Sequence, residues 1–288
     1  MPELPEVETI RRQLAPHLEG RMIVEVEILD SRWTRPDPPG EVEAKLRGAL
    51  VERVGRAGKY LIWELSGARY LLVHLRMTGA LLFDPAVDPP HTRVRFLLDA
   101  GHHVAYVDPR RFGTGHLLDG EAARDAYLAA RLGIEPFTPA FTAEHLRALA
   151  RTRRAPVKAF LLDQRRIAGV GNIYADEALF RAGIHPLRAV GRLTTAELAR
   201  LRDTIEEALA AGIEAKGASI DDFHHVDGAR GSFQDQFLIH RRAGEPCRHC
   251  GTTIRKIVVG GRGTYVCEHC QRKPRAPRRR MPAARNTA

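Results

Sequence analysis

The apolar positions change period twice along the chain. Over residues 6–18, Val7, Ile10, Leu14 and Leu18 recur at helical spacing and Gly20 supplies a stop, which predicts an amino-terminal helix. From residue 21 to about 118 the period falls to two. Val24, Val26 and Ile28 alternate within 21–29, and further strands are predicted at 59–65, 70–75, 92–98 and 103–107. Short strands separated by Gly, Pro and Asp turns predict a β-sandwich or barrel. Residues 84–90, with three prolines, read as a loop. A helix is predicted at 121–131, and Glu135-Pro136-Phe137-Thr138-Pro139 reads as a domain boundary.

From residue 142 the period is helical, with helices predicted at 143–150 and 157–162 around the basic turn Arg151-Thr152-Arg153-Arg154. The turn Gly169-Val170-Gly171-Asn172 feeds a helix running to about residue 182, with Asn172 the expected N-cap. Such a turn exposes backbone N–H groups suited to phosphate, and the pattern is helix–two-turn–helix. Thr194-Thr195-Ala196-Glu197 is a capping box opening a long helix through Leu198, Leu201, Ile205, Leu209 and Ile213, ended by Gly217. Residues 217–237 have no period, and a loop of that length inside a compact chain is functional or disordered.

Composition narrows the partner. The formal net charge is +10 and the pI about 9.9, which suggests a polyanion. Seven Lys and Arg fall within residues 271–288 without one acidic residue, so the body carries only about +3 and clustering must support the argument. Arg outnumbers Lys thirty-nine to six; Arg grips phosphate bidentately, and a GC-rich genome gives the same bias. There is no run of about 18 apolar residues and no signal-peptide h-region, so a cytoplasmic chain with no membrane partner is expected.

Two stretches carry explicit chemistry. All four cysteines lie in Cys247-x-x-Cys250 and Cys267-x-x-Cys270, sixteen residues apart, a spacing that predicts one structural Zn2+ bound by four thiolates. Strands predicted at 254–259 and 264–266, joined by Gly260-Gly261-Arg262-Gly263, would form a hairpin presenting Arg262 at its tip. At the other end, removal of Met1 would leave Pro2 with a free secondary amine. An α-amino group titrates at roughly 7.7–8.0, so part of it is neutral near neutral pH and can attack a sugar carbon to form an iminium. Glu3 and Glu6 stand beside it as candidate acid and base. Met77 at a strand end and Arg110-Arg111-Phe112 in a Pro/Gly loop are of the kind architectural DNA binders insert between base pairs; they equally suit a core Met and Phe with two solvated arginines. Lys59 matters only if it faces the Pro2 amine.

Together these motifs resemble the bacterial formamidopyrimidine-DNA glycosylases. The resemblance covers residues 2 to about 273. It rests on Pro2-Glu3-Leu4-Pro5-Glu6-Val7-Glu8-Thr9, Gly58-Lys59-Tyr60-Leu61, His74-Leu75-Arg76-Met77-Thr78-Gly79, Asp108-Pro109-Arg110-Arg111-Phe112-Gly113, Gly169-Val170-Gly171-Asn172-Ile173-Tyr174-Ala175 and the zinc hairpin. It implies an α+β fold: a catalytic β-sandwich with its amino-terminal helix (1–135), a helix–two-turn–helix domain with a lesion loop (136–237), a zinc finger (238–273) and a basic, disordered tail (274–288). It implies a monomeric, nucleoid-associated glycosylase and AP lyase acting on double-stranded DNA that carries an oxidised purine. Pro2 would attack C1′, Glu3 open the sugar, Lys59 assist β-elimination and Arg262 δ-elimination, with Glu6 in the catalytic set. Met77, Arg110 and Phe112 would fill the hole left by the flipped nucleotide, and His91, Arg110, Arg153 and Asn172 would contact phosphates.

The chain departs from the family at Thr78, where some relatives carry Glu, and at His240-Arg241-Arg242-Ala243-Gly244, where many carry a tyrosine; that phosphate contact is expected to be lost or to be replaced by His240. Two other functions compete: an endonuclease VIII-type glycosylase for oxidised pyrimidines, and a non-catalytic zinc-ribbon DNA-binding protein, which would need neither Pro2, Glu3 nor Lys59.

Overall fold

The structure is a computed structural model that describes residues 1–220 and 224–273; the tail at 274–288 and the centre of the lesion loop lie outside the described residues. Helix α1 (Leu4–Leu18) begins two residues earlier than its apolar period indicates, because Pro5 occupies the first turn, where a missing N–H costs nothing. Strands β1 (Ile23–Ile28), β2 (Val51–Ala57), β3 (Tyr60–Leu65), β4 (Arg69–His74), β5 (Ala80–Phe83), β6 (Thr92–Leu98), β7 (His103–Val107) and β8 (Thr114–Asp119) follow, with a short helix α2 (Pro39–Leu46) between β1 and β2. They form two antiparallel four-stranded sheets, ordered β1-β6-β7-β5 and β2-β3-β4-β8. The α+β class and the sandwich are as the sequence predicts.

Four elements escape the alternation rule. α2 is one short stretch, β5 is only four residues, β8 is half-buried, and β2 opens with a register shift between Val51 and Arg53 that breaks its period. Lys59 does not open a strand as expected. Ala57 pairs with Tyr60, so Gly58 and Lys59 are a two-residue hairpin turn, with Gly58 at φ +54°.

Helix α3 (Glu121–Ala129) leads to the helical region: α4 (Ala143–Ala150), α5 (Val157–Leu162), α6 (Asn172–Arg181) and α7 (Thr195–Glu214), the last with its Thr194/Glu197 capping box formed. The finger is β9 (Arg255–Val259) against β10 (Arg262–Val266). Its turn is Gly260-Gly261, and Arg262 is the first residue of β10 rather than the tip.

Two main cores result. One lies between the sheets and α1, around Val7, Ile10, Leu14, Trp63 and Phe96. The other lies among α4–α7, around Phe160, Ile173, Leu179 and Leu201. Leu4, at the start of α1, belongs to the second core while the rest of α1 belongs to the first. The amino terminus is thus fixed where the two cores meet. The lesion loop is also tied to both: Phe233 packs in the helical core, and Val226 packs in the sandwich core, its carbonyl accepting from Phe83 N at 3.0 Å.

Candidate active site

The Glu3 carboxylate caps helix α6 from outside. Its Oε1 accepts from Ile173 N at 3.0 Å and its Oε2 from Tyr174 N at 3.5 Å, placing the acid on the positive end of the helix dipole. Those amides are the ones the Gly-rich turn was expected to offer to phosphate; Glu3 occupies them. The glycines have a different use. A Cβ at Gly171 would lie 2.2 Å from Glu3 Cδ, and one at Gly169 would lie 2.6 Å from Leu4. The turn is glycine-rich so that the start of α1 can approach it, and Leu4 N donates to Gly169 O at 3.1 Å. Gly171, not Asn172, is the N-cap. Asn172 is the first helical residue and its Nδ2 donates to Gly263 O at 3.2 Å.

Glu6 lies one turn behind Glu3, buried. Its Oε2 accepts from Glu3 N at 2.8 Å, and its Oε1 from Tyr174 Oη at 2.7 Å and Ala218 N at 2.9 Å. It therefore joins α1, α6 and the first residues of the lesion loop. Burial, then the charge of Glu3, pushes its carboxyl up, and the three donors oppose that. Lys59 is buried too. Desolvation pulls its ammonium down and Arg262 adds to this, while Glu3 and Glu6 act the other way. Burial brings His74 down to about 3, so its ring is neutral; its Nδ1 accepts from Arg76 N at 3.0 Å, which leaves the proton on Nε2.

Met1, Glu3, Lys59, Met77, Arg110, Asn172 and Arg262 line one cavity of about 510 Å³ between sandwich, helices and finger. Pro2 is buried beside it, its nitrogen held in the peptide bond to Met1. Among the described residues the wall carries six basic side chains, Lys59, Arg76, Arg110, Arg241, Lys256 and Arg262, and one carboxylate, that of Glu3. That excess suits a phosphodiester. Phe112, His91 and Arg153 lie outside the cavity wall. Phe112 is 52% exposed, under the Arg110 guanidinium 4.8 Å from its ring centre. His91 and Arg153 are exposed, and Arg153 Nε donates to Leu149 O at 2.6 Å. Arg76, Arg241 and Lys256 escaped sequence reasoning, because a lone cation in a strand or loop carries no period or motif.

The finger is held by buried charge. Lys158, fully buried in α5, donates to Asp176 Oδ1 at 2.6 Å, Thr264 Oγ1 at 2.8 Å and Gly263 O at 3.2 Å. Asp176 Oδ2 meets His240 Nδ1 at 2.8 Å, and Glu177 Oε1 accepts from Ile239 N and His240 N at 2.9 and 3.0 Å. Of the two outcomes expected for the tyrosine's phosphate contact, the burial of His240 favours its loss over replacement: His240 is 4% exposed and its Nδ1 is committed to Asp176. Thr78 likewise turns inward, to Asp108.

The four cysteine thiols carry no disulfide and lie within 4.8 Å of one another. Sγ separations of 3.5 Å (Cys250–Cys267, Cys250–Cys270) and 3.9 Å (Cys247–Cys270) are close to the edge of a tetrahedron with metal–sulfur distances of about 2.3 Å. Cys247, Cys250, Cys267 and Cys270 are the site of one structural zinc.

Fold and cavity together define the class: a helix–two-turn–helix DNA glycosylase with a zinc finger. Comparison with known proteins makes it particular. Residues 1–115 match the formamidopyrimidine-DNA glycosylase N-terminal domain, 132–224 its H2TH domain, and 244–272 the zinc finger found in FPG and IleRS. A formamidopyrimidine-DNA glycosylase of Symbiobacterium thermophilum is 44% identical over 294 residues, covering 100% of this chain and 96% of the relative. One from Chloroflexus aggregans is 46% identical over 277 residues, covering 94% and 98%. Among solved structures, a Lactococcus lactis FPG point mutant bound to Fapy-dG-containing DNA superposes with TM-score 0.89 at 34% identity, covering 94% of this chain and 100% of that one. The MutM (FPG) protein of Thermus thermophilus gives 0.85 at 40%, covering 94% and 98%. The chain belongs to the formamidopyrimidine-DNA glycosylase family, enzymes of base excision repair with glycosylase and AP lyase activity. Among the described residues no helix is long and apolar enough to cross a membrane.

Proposed function

We propose that the chain, once Met1 is removed, releases oxidised purines such as 8-oxoguanine and formamidopyrimidines from duplex DNA and then cuts the strand at the same site. The freed Pro2 nitrogen forms a bond to C1′ as the glycosidic bond breaks. Glu3, in acid form, protonates the ring oxygen, the sugar opens, and the nitrogen–carbon bond becomes an iminium. Loss of a C2′ proton expels the 3′ phosphate, and loss of a C4′ proton expels the 5′ phosphate. Lys59, held toward its neutral form by burial, serves the first elimination and Arg262 the second. Glu6 positions Glu3 through its backbone N–H and ties the site to the loop over the flipped base. Met77, Arg110 and Phe112 fill the vacated stack, with Arg110 toward the orphaned cytosine, and His91, Arg110, Arg153 and Asn172 grip phosphates.

One observation carries this reading: the amino-terminal acid, the buried lysine and the finger arginine converge on one strongly basic cavity beside Pro2. The Lactococcus lactis relative has been seen with Fapy-dG, abasic-site and oxidised-pyrimidine DNA, which supports a flipped damaged nucleotide as the cavity's guest. The proposed domains are 1–135, 136–237 and 238–273, followed by a basic tail at 274–288, working as a monomer on DNA in the bacterial cytoplasm.

Borohydride trapping on a duplex with one 8-oxoguanine opposite cytosine, followed by mass spectrometry of the cross-linked peptide, tests it. A cross-link at Pro2 is expected. Absence of a cross-link from protein whose amino terminus is Pro2 would overturn the lyase assignment. Faster release of thymine glycol than of 8-oxoguanine would transfer the specificity to oxidised pyrimidines.

A further inference from the structure

The two loops expected to fill the DNA stack are not independent. One runs from Leu75 to Gly79 and carries Met77; the other runs from Asp108 to Gly113 and carries Arg110 and Phe112. Asp108 is 1% exposed, and its carboxylate is satisfied by donors from both loops. Thr78 Oγ1 donates to Oδ1, Arg110 N donates to Oδ1 at 3.2 Å, and Phe112 N and Gly113 N both donate to Oδ2 at 2.8 Å. Thr78 Oγ1 also accepts from Arg110 N at 3.4 Å. The threonine hydroxyl thus bridges the Met77 loop to the backbone of the arginine loop.

Tyr106 forms the floor under both. A Cβ at Gly79 would lie 2.6 Å from its Oη, and one at Gly113 would lie 1.6 Å from it. The two loops therefore close over one ring from either side, at positions where only glycine fits. A second anchor fixes the outer loop: Arg111, in the left-handed region at φ +59°, holds Asp30 through Nε and Nη2 at 2.5 and 2.8 Å. Asp30 is 4% exposed. Arg110 and Phe112, on either side of Arg111, are left facing outward.

We infer that Thr78 and Asp108 are positioning residues that weld the Met77 and Arg110–Phe112 loops into one preorganised wedge, so that both enter the DNA stack as a unit. This rests on the reading that those three side chains fill the vacated stack. Thr78 acts through the shared carboxylate rather than by touching the damaged base. Ordering a loop at the moment of insertion lowers the yield of binding energy, and preorganisation avoids that loss.

The test compares Thr78→Val, which keeps shape and loses the hydroxyl, with Thr78→Ser, which keeps the donor. Single-turnover excision of 8-oxoguanine from a duplex is set against cleavage of an abasic site in single-stranded DNA, where no stack is opened. The duplex-to-single-strand rate ratio is expected to fall about tenfold in Thr78→Val, the scale of one lost hydrogen bond to a charged group, and to stay near wild type in Thr78→Ser. Combined with Phe112→Ala, Thr78→Val should add little, since both act on the same wedge. If Thr78→Val does not fold, Thr78→Ala reports the same ratio. An unchanged ratio in the hydroxyl-less variants, or full additivity with Phe112→Ala, overturns the weld. Unchanged duplex excision in Met77→Ala and Phe112→Ala would instead overturn the wedge reading beneath it, so the two failures are distinguishable.

Discussion

Lys158→Met is a severe test of how the finger is held. The side chain is fully buried, and its ammonium is the shared partner of Asp176, Thr264 and Gly263. Methionine fills a similar volume, so packing loss is small. What remains is a buried Asp176 carboxylate left with His240, and the Thr264 hydroxyl on β10 without its donor, while Gly263 O keeps the Asn172 Nδ2 donor. Removing one member of a buried ion pair costs about 3–5 kcal/mol because the other charge stays buried. The loss should be local to the interface of α5, α6 and the hairpin. Hydrogen exchange followed by mass spectrometry reads it directly: amides in 158–176 and 255–272 should exchange about a hundredfold to a few thousandfold faster, at about 1.4 kcal/mol per decade. Amides around Trp63 and Phe96 in the sandwich should not change. Adding Asp176→Asn removes the stranded charge and should restore most of the protection. Protection within a factor of about two of wild type, or faster exchange throughout the chain, would refute the argument that this lysine specifically docks the finger.

Gly171→Ala places a methyl on the Glu3 carboxylate, so excision and borohydride trapping should fall together by at least about tenfold while zinc content is kept; wild-type trapping would show that Glu3 can shift without cost. Glu6→Gln keeps shape but turns an amide N–H either toward Glu3 N or toward Ala218 N and Tyr174 Oη. It should cost about 1–3 kcal/mol in urea unfolding; equal midpoints would mean the carboxyl is already protonated and donating to Tyr174. Lys59 gives a pH signature. Its folded-state pKa is lowered, so between that value and the ordinary 10.5 the unfolded chain binds more protons and stability from this group rises with pH. Lys59→Met should therefore be more stable than wild type at pH 7, with the gain shrinking toward pH 10.5; a gain independent of pH would mean that the lysine is not buried as a charge.

The parts of the molecule legible in sequence are those with a local period or fixed spacing. The long helix α7 announces itself through Thr194, Glu197 and its apolar stripe, and the cysteine pairs give the zinc site. The α1 period gives a helix, but not that Leu4 leaves one core for the other, because periodicity describes a face and not the neighbour it meets. The turn at 169–172 reads as a turn and, wrongly, as a phosphate cradle. Its glycines answer to Glu3 and Leu4, more than 160 residues earlier in the chain, and no local pattern encodes that approach. Lys158 and Asp176 give no sign either. A charged residue on a helix is ordinarily solvated, and only the docked finger makes these two a buried pair.

The placement of the amino terminus bears on how the protein is made. Glu3 and Glu6 stand at the start of α1, yet their hydrogen-bond partners include Ile173, Tyr174 and Ala218, and the cavity that Glu3 borders is also lined by Arg262. A nascent or truncated chain can carry the amine and the sandwich, but it lacks the helix end that fixes the acid and the arginine that completes the wall. The geometry of the acid and the finished cavity wall therefore exist only when the helical region and the finger are docked against the sandwich, and a fragment that ends before Asn172 would lack both.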